Sequence, residues 1–113
     1  NGSSSLAYID LGSSCSTIQE KELQNKKLQH DKTKQTVLQG YGGGCLTTLG
    51  TTEVGITVDD VTATITAHVV PDSAQEVPML LGRNFTELPN LLVVKDDVTL
   101  KFFQRPTTEL NKL

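Results

Sequence analysis

The residues best suited to chemistry form a short series. Ala7-Tyr8-Ile9, a mostly apolar run, ends in Asp10, and Leu11, Gly12, Ser13, Ser14 and Cys15 follow. A carboxylate at the end of a strand suited to a hydrophobic interior is costly unless something receives it. A carboxyl held there can act as a general acid or a general base. Two further segments belong with it: the glycine-rich Gln39-Gly40-Tyr41-Gly42-Gly43-Gly44-Cys45, and Val77-Pro78-Met79-Leu80-Leu81-Gly82-Arg83-Asn84-Phe85. Each alone reads as punctuation: a turn acid, a flexible loop, an apolar run stopped by glycine.

The elements that must position these residues are mostly strands. Val54, Ile56 and Val58 alternate with polar or small residues, Asp59-Asp60 interrupt, and Val61, Ala63, Ile65, Ala67 and Val69 resume the alternation. That pattern predicts a hairpin with one buried face. Leu91 to Phe103 predicts a second hairpin, turning at Lys95-Asp96-Asp97. Ser16 and Thr17, each followed three residues later by Gln19 or Glu20, have the spacing of a capping box, so a helix is expected over the Gln19–Gln29 stretch. A helical turn is expected from Asn84 to Leu88, stopped by Pro89. Asn1-Gly2 ahead of a strand-like run is a hairpin-turn signal, which implies that a preceding strand belongs to a longer polypeptide.

A chain of 113 residues is expected to form one domain spanning 1–113, without its first amino-terminal strand. With a net charge of −3 it has no basic field to recommend nucleic acid or an anionic membrane as a partner. No apolar run is long enough to cross a bilayer, and the opening residues lack the pattern of a secretory leader. Asn1-Gly2-Ser3 and Asn84-Phe85-Thr86 match the glycosylation pattern but carry no weight without such a leader. Cys15 and Cys45 have no paired spacing and read as reduced thiols, while His30 and His68 stand apart from them and read as hydrogen-bonded or solvated side chains. No metal and no cofactor is expected.

The order and spacing of the three segments resemble the retropepsin-like aspartic proteases, the one-domain proteases of retroviruses and long-terminal-repeat retrotransposons. The resemblance runs from about Leu6 to Phe85 and rests on Ile9-Asp10-Leu11-Gly12-Ser13-Ser14, on the glycine-rich tip, and on Leu80-Leu81-Gly82-Arg83-Asn84-Phe85. It is nearest to the protease segment of a transposon Gag-Pol polyprotein or a domesticated relative. The resemblance implies an all-β, closed-barrel acid-protease fold with one or two short helices, one lobe per chain. It implies a homodimeric endopeptidase that hydrolyses peptide bonds in a polyprotein, in the cytoplasm or within virus-like particles.

Residue by residue, the resemblance makes Asp10 the catalytic acid and Leu11, Gly12 and Ser13 its turn, with Gly12 allowing tight backbone approach and the amides of Gly12 and Ser13 holding the carboxylate. Gly12, Ser13 and Ser14, with Gly40, Tyr41, Gly42, Gly43 and Gly44 of a closing tip, would meet the substrate. Gly82, Arg83 and Asn84 would support the active-site loop. Leu11 departs from the family's Thr or Ser, whose hydroxyl bonds across the dimer, and Ser14 lacks the carboxylate that many viral members present to the arginine. These departures keep open a catalytically silent module retained for dimerisation or peptide binding. An unrelated β-sandwich, with all three segments as turns, is the third alternative.

Overall fold

The computed structural model describes residues 7–41 and 44–104, with Gly40 and Tyr41 described by their backbone alone. The Asn1-Gly2 turn signal and tip residues Gly42 and Gly43 lie outside the described residues. Among the described residues nine strands run in chain order: β1 (Ala7–Ile9), β2 (Ser16–Gln19), β3 (Val37–Tyr41), β4 (Gly44–Thr47), β5 (Gly50–Val58), β6 (Val61–Val70), β7 (Met79–Leu81), β8 (Leu91–Lys95) and β9 (Leu100–Gln104). Two short helices, α1 (Glu20–Lys26) and α2 (Arg83–Thr86), and a 3-10 turn at Asp72–Ala74 complete the fold. A five-stranded sheet in the order β1-β7-β2-β6-β5 is flanked by the ribbons β3-β4 and β8-β9.

The alternation that predicts the first hairpin is the alternation of burial. Val54, Ile56, Val61, Ile65, Ala67 and Val69 are buried, and the threonines between them along β6 face solvent. Their register, Val58 opposite Val61, leaves a two-residue turn whose first member, Asp59, has φ 54. A short polar side chain tolerates that left-handed position better than most. The second hairpin also forms, with Leu91 opposite Gln104 and Lys95 opposite Leu100. Its turn lies one residue later than the sequence suggests, because Asp96 Oδ1 accepts the N–H groups of Val98 and Thr99 at 2.9 and 2.7 Å.

Phe85 of α2 is fully buried and meets the ring of Phe102 from β9 at 5.8 Å, tying the second ribbon to the main core. Asp59 strengthens that tie, since its Oδ2 accepts the Phe102 N–H at 2.9 Å.

The largest departure from the sequence reading is at Ser16 and Thr17. They do not cap a helix; they lie in β2, all four residues of which are buried in mid-sheet between β6 and β7. The helix begins only at Glu20, and its N-cap residue Gln19 makes no side-chain capping bond. Asp72 serves instead, from the 3-10 turn, with Oδ1 accepting the Lys21 N–H at 2.9 Å.

His68, on β6, lies in register between Thr17 and Thr51, and its buried Nδ1 has no hydrogen-bond partner among the described residues. Burial disfavours the charged ring and lowers its pKa from the ordinary 6.5. The unfolded chain therefore takes up the proton first as pH falls. Folding stability should decline from pH 6.5 downward until the folded-state value is passed, then level off with respect to this group. Thermal melts across this range should show a shallower pH slope for His68→Gln; an unchanged slope would assign it to other groups.

Candidate active site

Asp10 stands where β1 leaves the sheet. β1 runs parallel to β7, with Ile9 opposite Leu81, and the Asp10 N–H continues that ladder to the Leu81 carbonyl at 2.9 Å. The chain then turns back, with the Ser13 N–H donating to the Asp10 carbonyl oxygen at 3.3 Å. The carboxylate receives one of the two backbone donors expected from sequence. Gly12 N–H reaches Asp10 Oδ1 at 2.9 Å, whereas the Ser13 amide is committed to the main chain.

Asp10 is exposed in the single chain, so the isolated-charge penalty that its sequence context suggests does not arise there. Gly12 is likewise not required by its own backbone. It is not among the positive-φ glycines, and an added Cβ would meet only Asp10 Oδ1, at 3.4 Å.

Gly82 is different. A Cβ there would overlap the Cys15 carbonyl oxygen and lie 2.7 Å from the Cys15 carbonyl carbon and 2.8 Å from the Ser13 oxygen. The β7 end and the Asp10 turn can touch only because position 82 has no side chain. Two hydrogen bonds fix the contact: Arg83 N–H to the Ser13 carbonyl at 2.7 Å, and Gly82 N–H to Ser16 Oγ at 2.9 Å. Ser16 Oγ in turn donates to Asn84 Oδ1 at 2.5 Å, and Asn84 Nδ2 donates to the Thr66 carbonyl at 2.9 Å. Asn84 thus links the β7 end, β2 and β6 in one chain of hydrogen bonds.

A groove of about 660 Å³ opens beside this turn. Asp10, Gly12, Ser13 and Ser14 line one side, and Val37, Leu38 and Gln39 of the β3-β4 ribbon line another. The ribbon is a hairpin with Val37 opposite Thr47 and Leu38 opposite Leu46, and its register shifts between Gln39 and Tyr41. Leu80 faces the groove from β7 while Met79 and Leu81 on either side are buried, as strand alternation requires. Thr17 and Gln75 line it as well, bonded to each other through Thr17 Oγ1 and Gln75 Oε1 at 2.6 Å.

No family model matches the chain, and no curated protein matches it significantly. Among solved structures, the crystal structure of the retroviral protease-like domain of Ddi1 from Leishmania major matches with a TM-score of 0.52 at 13% identity. The match covers 91% of this chain and 87% of that one. The fold is retropepsin-like.

Within this retropepsin-like domain, the residues expected to act together are only partly assembled. Asp10, Gly12, Ser13 and Ser14 share the groove. Gly82 and Asn84 brace the turn from behind it. Arg83 contributes its backbone amide; its side chain is exposed, with no hydrogen bond or ion pair among the described residues, so the support expected of its guanidinium is not made. From the ribbon, Gly44 is exposed and does not line the groove, and among the described residues the ribbon's lining comes from Val37, Leu38 and Gln39.

Sequence reading gave no site role of their own to Val37, Leu38 and Gln39, although Gln39 belongs to the glycine-rich segment it picked out, and none to Thr17, Ser16 and Gln75. The first three carry a faint signal as the residues leading into a glycine-rich tip, while Ser16 and Thr17 were hidden by their likeness to a cap. Cys15 and Cys45 are free thiols, and burial pushes the Cys15 thiol up despite a lowering contact from Ser13. Leu11 is exposed on the far side of the turn, where with Asp10 and Gly12 it lines a second hollow reaching Val98 of the β8-β9 loop.

Proposed function

We propose that the chain is one half of an aspartic endopeptidase that acts as a two-fold homodimer. The observation that carries this reading is the placement of Asp10, its Oδ1 held by Gly12 N–H, in the wall of a groove shared with the β3-β4 hairpin. The retropepsin-like fold agrees with it. One lobe supplies one such acid, and an isologous pair of lobes supplies two across an axis.

Hydrolysis of a peptide bond without a nucleophilic side chain needs a base to activate water and an acid to protonate the carbonyl oxygen or the leaving nitrogen. Two adjacent carboxyls cannot both ionise, so one remains a base while the other keeps its proton. The ionised carboxylate takes a proton from water as the water oxygen adds to the scissile carbonyl. The protonated partner gives its proton to the carbonyl oxygen. As the tetrahedral diol collapses, the protonated carboxyl gives its proton to the departing amine and the other carboxylate takes one from a diol hydroxyl, so the C–N bond breaks, the product carboxyl forms and the pair again shares one proton.

The substrate would lie extended along the groove, pairing its backbone with strand edges and seating alternate side chains against Val37, Leu38 and Leu80. The resemblance to transposon Gag-Pol proteases supports a polyprotein as that substrate, processed in the cytoplasm or in virus-like particles. Exposed Leu11 and Val98 beside Asp10 offer apolar surface for a second copy.

Leu11 also favours a second reading, a silent module that dimerises or binds peptide, because a leucine cannot form the hydroxyl bond beneath the acids. A concentration series separates the two. Cleavage of a peptide library at mildly acidic pH should rise in rate per subunit as the chain is concentrated, following the dimer fraction from sedimentation. A dimer that cuts nothing selects the silent module, and a cutter that stays monomeric rejects the shared site.

A further inference from the structure

The part of the groove wall formed by Thr17 and Gln75 has hydrogen-bond acceptors to spare and no donor. Thr17 Oγ1 gives its one hydrogen to Gln75 Oε1 at 2.6 Å. Gln75 Nε2 gives its two to the Val77 carbonyl at 3.0 Å and, more loosely, to the Thr17 carbonyl at 3.5 Å. Turning the Gln75 amide over would set its oxygen against both carbonyls, so these roles are fixed. What remains for a ligand are lone pairs on Thr17 Oγ1 and Gln75 Oε1.

The shortage of donors continues along β2. Gln19 lies two residues beyond Thr17 and so on the same face of the strand. Its Nε2 donates to the Asp72 and Gln75 carbonyls at 3.2 and 2.6 Å, and its buried Oε1 meets no donor among the described residues. Ser13 likewise spends its hydroxyl hydrogen within the chain, on the Cys15 carbonyl at 2.9 Å. Ser14 and Gln39, which can donate, lie on other walls. Among the described residues no lysine or arginine lines the groove, whereas Asp10 does, and Glu76 beside Gln75 is exposed. Spare acceptors and negative charge therefore occur together.

We propose that Thr17 and Gln75 form a subsite for the side chain of a lysine or arginine in an extended peptide. The inference rests on the endopeptidase reading for its substrate. Ammonium and guanidinium groups donate hydrogens and accept none, so they match this wall. An amide side chain would leave its own oxygen unmatched there, and a carboxylate would meet only acceptors and the charge of Asp10. The apolar stem of either basic residue would lie along Leu80. Thr17 stands opposite Leu80, and Leu80 opposite Tyr8, two residues before Asp10. Two strand spacings across and two residues along put Thr17 about 12 Å from Asp10, so the basic residue would sit two or three places from the bond that is cut.

The test is a series built on a peptide that the chain cuts, with each of the three positions on either side of the cut set in turn to lysine, norleucine or glutamate. Norleucine keeps the lysine stem and drops the ammonium. At a position two or three places from the cut, lysine should raise kcat/KM at least about tenfold over norleucine, with glutamate the poorest. Gln75→Met and Thr17→Val each remove an acceptor and should bring that ratio to about threefold or less. A general loss of folded protein lowers both rates together and leaves the ratio unmoved. The absence of a lysine preference in the parent overturns the proposal, as does a preference that both variants retain in full. If nothing is cut, labelled Thr-Val-Lys-Val-Thr and its norleucine counterpart are titrated by fluorescence polarisation. Lysine bound about tenfold more tightly would keep the subsite while the endopeptidase reading falls, and equal or absent binding would overturn the subsite as well.

Discussion

Gly82→Ala should cost at least about 3 kcal/mol, at or beyond the upper end of ordinary overpacking. The new methyl group would meet backbone, not a side chain able to swing away: the carbonyls of Cys15 and Ser13 surround the position. Those carbonyls belong to the turn that carries Asp10, and the Ser13 oxygen already accepts the Arg83 amide at 2.7 Å. Relief would require parting β7 from the turn, and that would break the Gly82–Ser16 bond and strand Ser16 in a buried strand. Against a typical total stability of about 5–15 kcal/mol, much of the folded population is at stake. A fall in Tm of at least about 10 °C is expected, measured by circular dichroism. Gly12→Ala is the matched control and should melt close to the parent, because a Cβ there meets only Asp10 Oδ1. Equal melting of all three proteins would mean that the turn is not braced in this way.

Asp10→Asn should melt like the parent yet cut peptides about 10²–10⁴-fold more slowly, the usual contribution of a positioned acid or base. Asp10 is exposed, and among the described residues its carboxylate accepts a hydrogen bond from Gly12 N–H alone, which an amide oxygen can accept equally well. The substitution therefore changes the chemistry while sparing the fold. Mixing gives a sharper form of the prediction. If equal amounts of parent and variant pair at random, only the parent homodimer carries two acids, so activity should settle near about one quarter of the all-parent value at the same total concentration. Activity of one half after equilibration would mean that each chain works alone. Activity surviving in pure Asp10→Asn would move the catalytic acid elsewhere.

How much of this was legible in sequence depended on how local each cause was. Val54 to Val69 announce their hairpin because burial of one sheet face imposes a two-residue period directly on the chain. The β8-β9 ribbon was visible for the same reason, and only its turn was misplaced, since Asp96 closes it through its own carboxylate. Ser16 and Thr17 were misread because a hydroxyl that caps a helix and one buried in a strand look identical in sequence. What decides between them are partners 68 and 58 residues away, Asn84 and Gln75. Tertiary contact overrode a sound local rule.

The candidate site divides along the same line. Asp10 and its turn, and Gly82 with Asn84, lie in short motifs that can be picked out by eye. The groove's other walls are Val37, Leu38, Thr17, Gln75 and Leu80, drawn from four separate stretches of chain. Val37 and Leu38 lead into the glycine-rich tip and Leu80 belongs to a recognisable motif, but nothing around Thr17 or Gln75 marks either as a wall. At Arg83 the contact with the turn is made by the backbone amide, while the prominent guanidinium has no partner among the described residues.

Asp59 carries a lesson for anyone engineering this domain. A tight hairpin corner with a left-handed aspartate invites replacement by glycine, a routine route to sturdier variants. Here that aspartate also anchors the carboxy-terminal ribbon by accepting the Phe102 amide. Optimising the bend in isolation would loosen a neighbouring element, so the corner must be treated as a fastener as well as a fold in the ribbon.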